Sequence, residues 1–218
     1  MKSRCRPYLA LVAVLSIAVA PSIVLAQAPG LPVLQDAFFS RGFGIGVDAA
    51  GGDGTSTRAV AASYSPLSGT LQLVAGAGTM RFSKASSTSY GVRAAFRFRT
   101  FGAQRQIGAA IFVGAGGAGA KETRVARAPF GLSLAYRRAL GTTRALAVYA
   151  APYYDATRVT RADGSADKGS RFRSGIGADV AITPSIGAGL GVDIGGKGAV
   201  GSSLAGSTQF GGGVSYHF

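Results

Sequence analysis

The 218-residue chain has one cysteine, one histidine, two methionines and no tryptophan. A single thiol, Cys5, excludes an intrachain disulfide and any cysteine-based metal centre. The sole histidine, His217, sits next to the C-terminus, so no second imidazole supports Ser or Asp catalysis, and His217 itself reads as a polar lining residue. No cluster of metal ligands is visible; Asp163 and Asp167 come nearest, in a segment read as a loop. Two GxGxxG matches, Gly114–Gly119 and Gly196–Gly201, lack a βαβ context and read as glycine-rich loop. Acidic residues are also few, nine against 23 Lys and Arg, a formal net charge of +14.

What is present begins with Lys2, Arg4 and Arg6 before the apolar run YLALVAVLSIAVAPSIVLA, which closes on Val24-Leu25-Ala26. This is the layout of a secretory signal peptide, residues 1–26, cleaved before Gln27. An uncleaved anchor is the alternative, since the run approaches spanning length, but Pro21 and the small-residue exit favour cleavage. Cys5 leaves with the leader and is not at the cleavage point, so no lipid-attachment site results. The remaining 192 residues suffice for one domain and carry 20 basic against nine acidic residues. A leader of this kind also makes nucleic-acid binding an unsuitable explanation of the charge.

The mature chain is apolar without apolar runs. Over the full sequence hydrophobic residues make up 47% and glycine numbers 34, yet no segment after the leader could form a membrane helix. Such a chain carries its apolar residues in alternation, the compositional mark of a membrane β-barrel. Period-two segments recur throughout. In GFGIGVDA, Phe43, Ile45 and Val47 share a face. RAVAASYS aligns Val60, Ala62 and Tyr64. In TLQLVAGAGTMRF, Leu71 and Leu73 begin a face that Met80 and Phe82 rejoin only after a phase slip, predicting a bulge near Gly76 or Gly78. SYGVRAAFRFR sets Tyr90, Val92, Phe96 and Phe98 against Arg93, Arg97 and Arg99. QIGAAIFVGA, PFGLSLAYR, ALAVYAAPYY, RFRSGIGADVAI, SIGAGLGVDI and STQFGGGVSYHF complete ten strands; eight is the alternative.

The connections fit an outer-membrane barrel. SPLSG, TFGAQR, LGTTR and TPS are short, whereas GGAGAKETRVARA, ATRVTRADGSADKGS and GGKGAVGSSLAG are long. Such barrels have an even strand number, short periplasmic turns and longer external loops. The chain ends on Val214, Tyr216 and Phe218 in alternation, which resembles the C-terminal signature of bacterial outer-membrane β-barrel proteins. The pattern covers residues 42 to 218 and looks like the broad group of small OmpA-type and porin-like barrels. The resemblance implies a transmembrane antiparallel up-and-down barrel in the outer membrane of a Gram-negative-type bacterium, whose final strand is read by the barrel-assembly machinery. Residues 27–41, with Pro29 and Pro32, then form a periplasmic N-terminal segment or one tucked into the lumen.

Inside the barrel, three Gly-x-Gly-x-Asp copies place Asp48, Asp179 and Asp193 on one wall. Arg93, Arg97 and Arg137 point in from the opposite wall, and Arg173 joins the acidic side. Two arrangements suit these charges: a paired network that plugs the barrel, or facing walls across a narrow water-filled pore. Basic residues also mark the expected external loops: Lys84, Lys121, Arg124, Arg127, Arg158, Arg161, Lys168 and Arg171. They suit a solvated surface or contact with the phosphates of lipopolysaccharide. The function expected is a porin-like pore for small polar solutes, with a non-conducting structural or surface-interaction barrel as the alternative. No enzyme activity, cofactor or metal is called for; the partners implied are outer-membrane lipid, lipopolysaccharide and the assembly machinery.

Overall fold

The computed structural model describes residues 38, 40–52, 55–66, 69–82, 85–102, 104–120, 123–195 and 208–218. The expected signal peptide, most of segment 27–41, and Lys84 and Lys121 lie outside the described residues. Ten strands follow one another: β1 (Gly42–Gly52), β2 (Thr55–Ser65), β3 (Leu71–Phe82), β4 (Ala85–Phe101), β5 (Ile107–Ala120), β6 (Thr123–Ala139), β7 (Ala145–Arg161), β8 (Ala166–Ala181), β9 (Ile186–Gly195) and β10 (Thr208–His217). Each pairs antiparallel with the next, and β10 closes on β1 from Gly44↔His217 to Gly51↔Phe210. Closure removes every open sheet edge, so the ladder satisfies the backbone without water. This is an up-and-down barrel of ten strands, not eight.

The alternation read from the sequence sets which face points where. Phe43, Val60, Phe96, Leu132, Phe172 and Leu190 are all exposed on the exterior. Between them, Asp48, Arg93, Ser133, Tyr153 and Arg173 are buried inside. An apolar exterior running round the whole barrel far exceeds the patches that water-soluble monomers expose. At one end lie Phe218 and the connections 66–70, 102–106, 140–144 and 182–185; we call this the terminal end and the opposite one the hairpin end. Phe218 is fastened there, its N–H donating to the Phe43 carbonyl at 2.9 Å and its ring packing on Phe43 and Tyr216.

Two expectations are corrected. The segments read as long loops before β6 and after β7 are largely strand: β5 runs to Ala120 and β6 starts at Thr123, while β7 runs to Arg161 and β8 starts at Ala166. Antiparallel pairing continues there because it needs only backbone. The period was invisible in sequence because the outward positions change from apolar to Arg, Ala and Thr. As a result β4, β6 and β7 are 17 residues long, against the 9–11 that a tilted spanning strand needs. Second, β3 has no bulge: it pairs without a shift with both β2 and β4, and Met80 faces inward and is buried. Gly78 serves close approach instead, since a Cβ there would lie 1.9 Å from the Arg58 carbonyl oxygen. The register shift is in β4, between Arg97 and Arg99. Beyond it Arg99 is exposed, with its guanidinium 4.9 Å from the Phe101 ring centre.

Candidate functional site

Among the described residues the lumen is where the fold gathers chemistry from many strands, and it is layered along the barrel axis. In the layer nearest the hairpin end, Asp155 of β7 is 0% exposed. Its carboxylate accepts from Arg127 of β6 through Nε, at 3.1 Å, and through a close Nη2 contact, and from Arg171 Nε of β8 at 3.2 Å. The strand register brings them together, since Asp155 lies directly opposite Arg171 and Pro129, two residues from Arg127. Pro129 cannot donate to the ladder, and β6 loses its rungs to β5 between Val113↔Phe130 and Gly116↔Arg127.

One inward step along each strand, the pattern repeats with other partners. Asp193 of β9 accepts from Arg173 Nε at 3.0 Å and from the Tyr153 hydroxyl at 2.5 Å. Arg173 is 0% exposed, and its stem runs over Gly195, where a Cβ would come within 2.7 Å of Cγ. Tyr153 also packs with Phe112, Ala95, Ala110, Ala135, Tyr149 and Ala151 in an apolar cluster inside the barrel. Two carboxylates, three guanidiniums and this aromatic cluster therefore occupy the middle and hairpin-side lumen. Charges so buried are stable only when paired and hydrogen-bonded.

The terminal-end lumen is different. Asp48, Asp179, Arg93 and Arg137 line a cavity of about 190 Å³, together with Ser63, Gln72, Ser215 and His217. Thr183 and Pro184 of the β8–β9 connection form part of its wall, which places it at the terminal end. Phe38 reaches into the lumen from the segment before β1, packing against the aromatic cluster, with the Arg137 guanidinium 5.9 Å from its ring centre. His217 faces inward, its Nε2 3.3 Å from Ser215 Oγ.

The residues singled out in the sequence thus separate. Asp48, Asp179, Arg93 and Arg137 share the cavity. Asp193 and Arg173 form a pair in the layer beyond it. Arg97 lies at the terminal rim beside Gly69 and Arg41. Arg127 and Arg171, expected on external loops, are instead buried lumen residues bound to Asp155. Sequence reasoning missed Asp155 as a lumen residue. Extending the inward phase of Tyr149 and Tyr153 by two positions would have found it, and stepping back from Gly175 through Arg173 reaches Arg171.

Of the remaining loop cations, Arg161 pairs with Asp167 at the tip of the β7–β8 hairpin. Arg124, Arg158 and Lys168 are exposed on the outer face of the extended strands. Arg158 lies directly opposite Lys168, a like-charge pairing that is unfavourable without an anion. Phe130, Tyr154 and Phe172 lie on the same face, nearer the barrel middle, with the Phe130 and Tyr154 rings 5.3 Å apart.

No protein-family model matches this chain. No curated protein matches it either. Among solved structures it is similar to the N-terminal β-barrel domain of Pseudomonas aeruginosa OprF, at 12% identity, TM-score 0.37, over 81% of this chain and 96% of that one. It is similar to Neisserial surface protein A at 17% identity, TM-score 0.38, over 81% and 97%. The KdgM porin shows 10% identity and TM-score 0.38, over 80% and 99%.

Proposed function

We propose that this chain is an integral outer-membrane β-barrel that does not conduct in the state described here and acts as a structural or surface-interaction protein. The apolar exterior and the closed antiparallel ladder suit a bilayer. The terminal end then faces the periplasm and the extended hairpins face outward. Phe218, with Tyr216 and Val214, is the segment that the assembly machinery reads. Arg124, Arg158 and Lys168 stand above the aromatic residues where lipopolysaccharide phosphates would lie over its acyl chains.

The observation that carries closure is the pair of ion-paired layers, in which both Asp155 and Arg173 are 0% exposed. Single-channel recording of the refolded chain in a planar bilayer tests it. The bilayer baseline is expected, with folding shown by heat-shifted gel migration; discrete conductance steps would overturn the reading. A narrow pore is the second reading, favoured by the cavity at the terminal end, and it requires both layers to open.

A further inference from the structure

We propose that the terminal-end cavity is a binding site for a small zwitterion of the free amino-acid type, with one ammonium and one carboxylate. Asp48 carries the argument. It is 8% exposed, and it accepts no hydrogen bond and forms no ion pair among the described residues. A buried carboxylate without a donor is unfavourable. Yet the fold makes room for it: on the facing strand stands Gly213, where a Cβ would lie 2.2 Å from Asp48 Oδ1.

In the layers beyond the cavity each carboxylate touches an arginine. Here Asp48 lines the space apart from Arg93, which feels Asp48 and Asp179 electrostatically. Arg137 adds a second guanidinium at the terminal rim. A lone anion would leave Asp48 without a donor, a lone cation would meet the Arg137 guanidinium, and a neutral molecule would leave Asp48 uncompensated. A molecule with both charges answers both walls at once.

Size narrows the class. The cavity measures about 190 Å³. It is smaller than the roughly 300–1,000 Å³ of sites for drug-sized ligands, which suits a small molecule. Ser63, Ser215 and Gln72 offer polar contacts, and Val74 and Phe38 offer an apolar surface for a short side chain.

Isothermal titration of the full chain in detergent, with L-alanine as the probe, tests this. N-acetyl-L-alanine retains only the carboxylate, and L-alanine methyl ester only the ammonium. Saturable heat is expected with L-alanine, and binding at least about tenfold weaker with each single-charge form. Asp48→Asn is expected to weaken L-alanine binding by at least about tenfold. Arg137→Gln, at the accessible rim, is expected to weaken it severalfold and serves if the first variant fails to fold. No saturable heat with L-alanine, equal binding of the acetylated form, or unchanged affinity in a folded variant would each overturn the proposal.

Discussion

The two halves of the lumen use the same alternating strands and the same charged residue types, but they solve opposite problems. On the hairpin side Arg127, Asp155 and Arg171, and then Tyr153, Asp193 and Arg173, touch one another and fill the space. On the terminal side Asp48 and Arg93 line a space they do not fill. The difference lies in what stands beside each charge. Near Asp155 the inward neighbours are other long side chains on adjacent strands. Near Asp48 they are Gly46, Ala61, Gly213 and other small residues. Charge alone therefore does not decide whether a narrow barrel is closed; the size of the neighbouring inward residues does.

The strongest way to break this comparison is to remove one carboxylate from each half. Asp155→Ala leaves Arg127 and Arg171 facing each other in a buried site and is expected to lower folding stability by about 3–5 kcal/mol in urea titration. Asp48→Asn removes no ion pair and is expected to cost less than about 1 kcal/mol. Equal losses would erase the distinction between the halves.

A smaller effect contrasts exterior with interior. Asp placed at Phe96 or Leu190 meets the bilayer and is expected to reduce the heat-shifted fraction on refolding. The cost should fall below the roughly 2–4 kcal/mol of an Arg at the membrane midplane. Ser63→Asp, on the cavity wall with no carboxylate directly opposite, should refold normally. Smaller again, replacing Arg158 and Lys168 together by Ser should weaken association with vesicles bearing anionic lipid by about 1 kcal/mol per charge. A flotation assay reads this. The smallest effect is at the β7–β8 tip, where the Ser165 hydroxyl and N–H donate to Asp163 at 2.6 and 2.9 Å and hold its carboxyl below the usual value of 3.8. The depressed value makes this contribution present at neutral pH and lost as pH falls through it. Ser165→Ala should move the Asp163 titration upward toward 3.8, as followed by NMR.

Strand number, closure and the inward or outward sense of most residues were legible because Phe43, Phe96, Leu132 and Leu190 keep strict alternation wherever an apolar surround demands it. The pattern failed where that demand ends. Beyond the apolar band, Arg124 to Ala128 and Ala156 to Arg161 are still strand but lack the hydrophobic contrast that marks a face, so Arg127 was placed on a loop and Asp155 was missed. Met80 misled for a related reason: an apolar residue was assumed to face out, whereas the lumen accepts it. The partition of the charges into contact pairs and a cavity was not legible, because it depends on register across four strands and on which glycine faces which side chain.

The most direct test of a lumen closed toward the hairpin end and open toward the terminal end is one-sided chemical access to the cavity. Ser63→Cys, in a chain with Cys5 replaced by Ser, places a single thiol on the cavity wall. A small membrane-impermeant thiol reagent is added to one side or the other of vesicles holding the barrel in a known orientation. The account predicts modification from the terminal end and none from the hairpin end. Equal modification from both sides would contradict it and make the lumen a continuous channel.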